Sequence, residues 1–141
     1  MKTQLFYDLT SVPKPYHPIV HFCEANKVDE VREDLAAQEI VIFEIDGSTF
    51  HSLEDMFKAF AVGLRMPKGW YGQEHYAPNA DAFLEYLDDV VEWVPAKGHV
   101  VLVRGATDLW RNQPRVAGIL TELWQLANGH REATITLVFV W

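Results

Sequence analysis

Five carboxylates hold the densest chemistry in the chain. Asp81, Glu85, Asp88, Asp89 and Glu92 lie within residues 81–92, separated only by apolar and aromatic side chains. The pairs 81/85, 85/89 and 88/92 stand at i, i+4, one above the other if the segment is helical. Such carboxylates can share a divalent cation, work as an acid–base pair, or meet the cations of a partner. A hard-cation site usually needs a loop that supplies further oxygens, and no such motif is present. An acid–base pair needs a concave pocket that shifts its pKa values. A docking face needs exposure on a convex ridge. From charge alone the plainest reading is a solvated face, with a docking surface for a basic partner and a divalent-metal site as the alternatives.

The distribution of charge bears on that choice. Residues 69–96 hold six acids, counting Glu74, and no Lys or Arg. Each like-charge i, i+4 pair destabilises a helix by roughly 0.2–0.5 kcal/mol. Asp81 suits the first turn, but Asp88, Asp89 and Glu92 oppose the helix dipole at the other end. A helix shaped for stability alone would intersperse bases.

Other reactive side chains form weaker patterns. The six histidines, His17, His21, His51, His75, His99 and His130, make no H-E-x-x-H motif. His99 opens an apolar run and reads as a structural strand-end residue, and His51 precedes a helix cap. His75 is the one histidine placed near a functional surface. Cys23, the single cysteine, excludes an internal disulfide and reads as a buried thiol. No G-x-S-x-G elbow or glycine-rich phosphate loop occurs. The expectation is no catalytic residue, no metal and no cofactor. Among the tryptophans, Trp70 stands apart, next to Tyr71 in a loop bounded by Gly69 and Gly72.

The elements that must position these residues follow from hydrophobic spacing. Residues 1–18 contain Pro13, Pro15 and Pro18, show no periodicity and read as an extended segment. Ile19–Cys23 suggests an edge strand. Val28, Val31, Leu35 and Ala36 suggest a short helix. Ile40–Ile45 is a β-branched strand ending in an Asp46-Gly47 turn. Ser52 with Asp55 resembles a capping box, before a helix whose Leu53, Met56, Phe57, Phe60, Ala61 and Leu64 share one face. Pro78-Asn79 caps the acidic helix at 80–92, whose apolar stripe reads as Ala80, Phe83, Leu84, Leu87 and Val91. Residues 99–103 form an almost wholly apolar strand, as expected for one covered on both faces. A further helix starts near Pro114, with Val116, Ile119, Leu120, Leu123, Trp124 and Ala127 inward, and Asn128-Gly129 ends it. Thr134–Trp141 is the last strand. Strands alternating with helices predict an α/β fold: a mainly parallel sheet of three core strands packed by helices.

Size and charge limit the function classes. The chain has 141 residues, 20 acids and 12 bases, a net charge of −8, and 49% hydrophobic residues. That is most simply one domain with a substantial core, not a disordered acidic tail. The acidity argues against nucleic acid and anionic membranes as partners and favours a basic one. No signal peptide or membrane-spanning run is evident, so a cytoplasmic protein is expected.

The order of motifs resembles the barstar family, small intracellular inhibitors of barnase-type ribonucleases. The resemblance rests on Ile45-Asp46-Gly47, Ser52-Leu53-Glu54-Asp55, Met66-Pro67, Trp70-Tyr71-Gly72 and Asn79-Ala80-Asp81-Ala82-Phe83. It implies a barstar-like domain over 39–141, with a three-layer arrangement, and an N-terminal extension over 1–38. It also implies that the loop and acidic helix plug a ribonuclease active site without chemistry. Trp70, Tyr71 and Gly72 match the loop positions, Asn79 the Asn before the helix, and Asp81 its first Asp. Glu85 takes the place of the second Asp.

Three departures bear on the target. Residues 73–78, including His75 and Tyr76, occupy a stretch where the family normally has one residue. Glu85 is one methylene longer than Asp. The later acidic contact maps near Gln125 or Leu126, with Glu122 the nearby acid. The expected function is inhibition, in a 1:1 complex, of a basic ribonuclease or nuclease-like toxin, by a chain that is monomeric when free. The role would be that of an immunity protein or antitoxin. The partner-binding set is Trp70, Tyr71, Gly72, His75, Tyr76, Asn79, Asp81, Glu85, Asp88 and Asp89. The alternatives are a non-inhibitory acidic interaction module, or a small enzyme using Asp81 and Glu85 as acid and base.

Overall fold

The computed structural model describes residues 20–68, 79–128 and 135–141. Four strands form one sheet: β1 (Val20–Cys23), β2 (Ile40–Asp46), β3 (Gly98–Arg104) and β4 (Ile135–Val140), in the order β1-β4-β3-β2. Every pairing is parallel. The three strands expected in the core are β2, β3 and β4, and β1 is the edge strand that Ile19–Cys23 suggested, in register with β4 from Val20↔Leu137 to Cys23↔Val140.

Among the described residues, five α-helices cover the sheet: α1 (Val28–Ala37), α2 (Leu53–Gly63), α3 (Ala80–Trp93), α4 (Ala106–Asn112) and α5 (Pro114–Asn128). Strand alternation decides what lies on each side. Ile40, Val100, Leu102, Val138 and Val140 face α1, where Val31 and Leu35 are buried. Phe43, Ile45, Val101, Val103, Leu137 and Phe139 face α2, α3 and α5. This gives three layers: one helix, the sheet, and the remaining helices. The connectivity explains the split. The β1-to-β2 connection crosses the whole sheet in one direction, while β2-to-β3 and β3-to-β4 step back the other way. Right-handed crossovers in opposite directions must lie on opposite faces.

Local chemistry sets the helix starts. The Ser52 Oγ accepts from the Asp55 amide at 3.1 Å, and Glu54 and Asp55 suit the positive end of α2. The α4 helix was not anticipated. Its N-cap is Gly105 at φ 67°, a left-handed conformation that glycine adopts without a Cβ penalty. A side chain on Gly63 would place its Cβ 2.5 Å from Ile45 Cγ1, so α2 lies directly on β2. Ala36, read as inward, is exposed at the end of α1, while Val28, Val31 and Leu35 are buried.

Candidate functional site

The α3 helix begins at Asn79, whose side-chain oxygen accepts from the Ala82 amide at 2.9 Å. That contact satisfies one of the donors a helix start leaves open. Phe83, Tyr86, Leu87 and Val90 are the buried residues of α3. The expected stripe needs correcting: Ala80, Leu84 and Val91 are only half-buried, while Tyr86 and Val90 take the core positions. The phenol ring of Tyr86 makes its polar residue type a poor guide to its side of the helix.

Phe83 anchors the helix. Its ring meets Phe60 edge-on at 5.1 Å, Phe57 at 5.5 Å and Trp124 at 6.4 Å. Trp124 is fully buried and donates its indole N–H to the Ile135 carbonyl at 2.9 Å. Such aromatic pairs each contribute about 0.5–1.5 kcal/mol beyond area burial. They fix which side of α3 meets water.

The opposite side carries the acids. Asp81, Glu85, Asp88 and Glu92 are exposed, and Asp89 is half-buried. The offsets of 4, 7 and 11 residues from Asp81 keep the four exposed acids within an arc of about 60° at 100° per residue. They form a ridge roughly 16 Å long at 1.5 Å per residue, facing away from Phe83 and Val90. Asp81 is the one acid in the first turn, and the last turn holds no base. Asp81 and Glu85 stand on an outward ridge, as a docking face requires, and not at the floor of a cleft.

The ends of α3 are tied to other elements. Trp93 Nε1 donates to the Leu64 carbonyl, the C-cap of α2, at 2.8 Å. His99 Nε2 lies 2.7 Å from the Val94 carbonyl at the C-cap of α3. The C-terminal ends of α2 and α3 therefore lie together, and the chain leaving α2 must return to the far end of α3 before entering it. Trp70, Tyr71, Gly72, His75 and Tyr76, with the 73–78 stretch, lie outside the described residues. On α5, which packs beside α3, Glu122 and Gln125 are exposed, and Leu126 is 59% exposed.

The remaining candidates sit apart from the ridge. His51 is exposed. Cys23 is buried, donates to the Glu24 carbonyl at 3.2 Å, and burial raises its thiol pKa. His17 and His21 share a four-residue spacing; His21 is on strand β1, and His17 lies outside the described residues. Among the described residues, no three His, Cys, Asp or Glu side chains gather into a metal-binding group. A hollow of about 370 Å³ at the C-terminal end of β2 and β3 is lined by Glu44, Ile45, Asp46, Arg104 and Gly105, and includes none of the α3 acids.

Residues 40–140 match the family model described as Barstar (barnase inhibitor). The chain belongs to the barstar family. The family is one of inhibitors, and its match covers β2, the acidic helix α3 and the closing strand β4. Among solved structures, the fold is similar to a chain of "Structure of Drosophila ORC bound to DNA", with a TM-score of 0.60 and 14% identity. That likeness covers 89% of this chain and 32% of the other, so this chain spans about a third of its length; at such identity it shows the fold alone. No protein of curated function matches the chain.

Two interactions were missed in the sequence: the Trp93 bond to Leu64 and the His99 bond to Val94. Both join residues that no spacing rule connects. Only the placement of His99 at the head of an apolar strand hinted at a structural role.

Proposed function

We propose that the chain inhibits a basic ribonuclease of the barnase type, or a related nuclease-like toxin, by occluding its active site. One observation carries this reading: in a chain of the barstar family, Asp81, Glu85, Asp88 and Glu92 form an exposed ridge on a capped helix, with no base in its last turn. Cationic groups that grip RNA phosphates would meet these carboxylates instead. Charge complementarity of this kind raises association rates and sets register, a rule for which the barnase–barstar pair is itself the reference case.

Asp81 and Glu85 are assigned to the centre of the contact and Asp88 and Asp89 to its margin. Asn79 holds the helix start. Trp70, Tyr71, Gly72, His75 and Tyr76 supply shape, and the 73–78 stretch sets which nuclease fits. Residues 39–141 act as the inhibitory unit. The described part of the extension, residues 20–38, lies away from the docking side, because α1 covers the sheet face opposite α3. The complex is 1:1 and the free chain monomeric. No bond is made or broken, so no residue is catalytic and no cofactor is used. The biological role is self-protection, as an immunity protein or antitoxin kept in the cytoplasm. A net charge of −8 disfavours binding to nucleic acid, and among the described residues no helix is long and apolar enough to cross a membrane.

The test is titration of the purified chain into a barnase-type ribonuclease, with RNA cleavage followed. The expected result is loss of cleavage at one equivalent and a 1:1 complex on sizing. Full cleavage at a large excess of folded chain overturns the reading for that enzyme class.

A further inference from the structure

The acidic helix ends badly by its own chemistry. Asp88, Asp89 and Glu92 crowd the end where the helix dipole is negative, and the last turn of α3 itself holds no base. The last carbonyls of a helix also have no partners within it. Left to itself, this turn would fray.

Side-chain hydrogen bonds to neighbouring elements hold it. The His99 Nε2 approaches the Val94 carbonyl oxygen at 2.7 Å. A carbonyl only accepts, so this nitrogen carries the proton. His99 is 1% exposed on the rigid strand β3. One residue before Val94, Trp93 donates to the Leu64 carbonyl, 29 residues away in sequence, at 2.8 Å. Leu64 caps α2, and the next residue, Arg65, starts the chain toward the loop.

Arg65 has φ 61° without being glycine. Such a conformation persists where its surroundings over-determine it. Its guanidinium lies 5.0 Å over the Phe43 ring, and Phe43 stacks on His99 at 6.2 Å with an interplanar angle of 6°. The stack of Arg65, Phe43 and His99 therefore joins the loop's departure point to the strand residue that caps α3.

We propose that His99, Trp93 and Arg65 form a positioning clamp, which holds the acidic helix and the take-off of the preceding loop as one pre-organised docking unit. This rests on the inhibitor reading above. Pre-organisation lowers the ordering cost of binding. Steering depends on net charge and its distribution, which removal of these hydrogen bonds leaves alone. The clamp should therefore act on dissociation, and the ridge on association.

The experiment uses the full chain and a barnase-type ribonuclease, with association and dissociation measured separately by stopped flow. His99→Leu removes the donor, His99→Gln restores a side-chain N–H, and Trp93→Phe keeps a ring without one. Loss of one hydrogen bond corresponds to roughly fivefold faster dissociation. That change is expected for His99→Leu and Trp93→Phe, with recovery in His99→Gln and with the salt dependence of association unchanged. Hydrogen exchange should rise in the last turn of α3 and at Arg65. If His99→Leu does not fold, Trp93→Phe decides the matter. Unchanged dissociation in a folded Trp93→Phe or His99→Leu, with wild-type binding intact, overturns the clamp alone. Failure of the wild-type chain to bind overturns the inhibitor reading, and the clamp's docking role with it.

Discussion

The α1 and α3 helices are both acidic, but they place their charges differently. On α1, Asp29 and Glu30 occupy the first turn, where the helix dipole favours them. Arg32 lies between the acids and bridges Asp29 at 2.6 Å and Glu44 of β2. The hydrogen bond to Glu44 raises the Arg32 pKa. Just past the helix, Lys97 pairs with Glu39 at 2.5 Å. On α3 only Asp81 is in the first turn, three acids gather near the wrong end, and no base is present. On α1 a base of the same helix answers Asp29 and ties it to Glu44 of β2, whereas α3 holds no base and its four exposed acids share one ridge. The difference separates acids that serve folding from acids suited to a partner.

The largest effect should come from reversing charge on α3. In Asp81→Lys and Glu85→Lys, a cation would face the cations of the nuclease, and like-charge juxtaposition costs several kcal/mol. Inhibition is expected to weaken by about a hundredfold or more, the equivalent of some 2.7 kcal/mol. Both side chains are exposed, so the urea midpoint should barely move. Glu30→Lys on α1 is the control, and its inhibition constant should stay within about twofold, because exposed charges beyond a Debye length are screened. Equal losses from both helices would mean that net charge, not the α3 ridge, governs binding. A matching loss of folding in Glu85→Lys would make the face structural.

Next in size is Arg32→Met, measured by urea unfolding. It keeps much of the aliphatic stem but removes the links to Asp29 and Glu44. Both partners are substantially solvated, so a loss of about 0.5–1 kcal/mol is expected, with inhibition unchanged. No loss would show that α1 does not depend on its internal pairing.

Glu92→Lys should act in the opposite direction on stability. It places a base one turn after Asp88 and at the negative end of α3. The pair and the dipole together predict a gain of roughly 0.5 kcal/mol, with somewhat weaker inhibition. A stabilised chain that inhibits as well as before would confine the working ridge to Asp81, Glu85 and their neighbours. A destabilised one would show that Glu92 has a folding role hidden by its exposure.

How far this contrast could be read from residues alone depended on the range of the interaction. The strands and long helices followed from local spacing, and the Asn79 cap is a contact within one turn. The acid ridge was apparent because its signal is periodic and the bases are absent. The inward face of α3 was read too far round, since a buried Tyr86 looks polar in a string of letters. The α4 helix escaped because it is short and starts at a left-handed Gly105. The sheet order, the Phe83–Phe60–Trp124 packing and the bond from Trp93 join distant segments, and the His99 bond spans the turn between α3 and β3. They depend on how layers meet, which no local pattern encodes. Trp70, Tyr71, Gly72, His75 and Tyr76 remain readings from motif order, and the departures at Glu85 and 73–78 bear on which nuclease they would fit.

The smallest effect concerns the pair beside α1. The hydrogen bond and charge of Lys97 hold the Glu39 carboxyl below its ordinary pKa of 4.5. A carboxylate with a lowered folded-state pKa binds protons less readily folded than unfolded. Its contribution is therefore present above the unfolded value, near pH 4.5, and fades as the pH falls through the lower folded value. In Lys97→Met the pKa of Glu39 should move back up, as seen by NMR titration of its carboxyl. Stability relative to wild type should fall slightly at pH 6, and the two proteins should converge in acid. Because the pair is exposed, added salt should shrink the difference. Inhibition at neutral pH should be the same for both, since Glu39 and Lys97 flank α1 and β3 and the proposed ridge is on α3. A change in inhibition without a change in folding would extend the docking surface to the sheet end where Glu39 and Lys97 meet, and would blur the division between the two acidic helices.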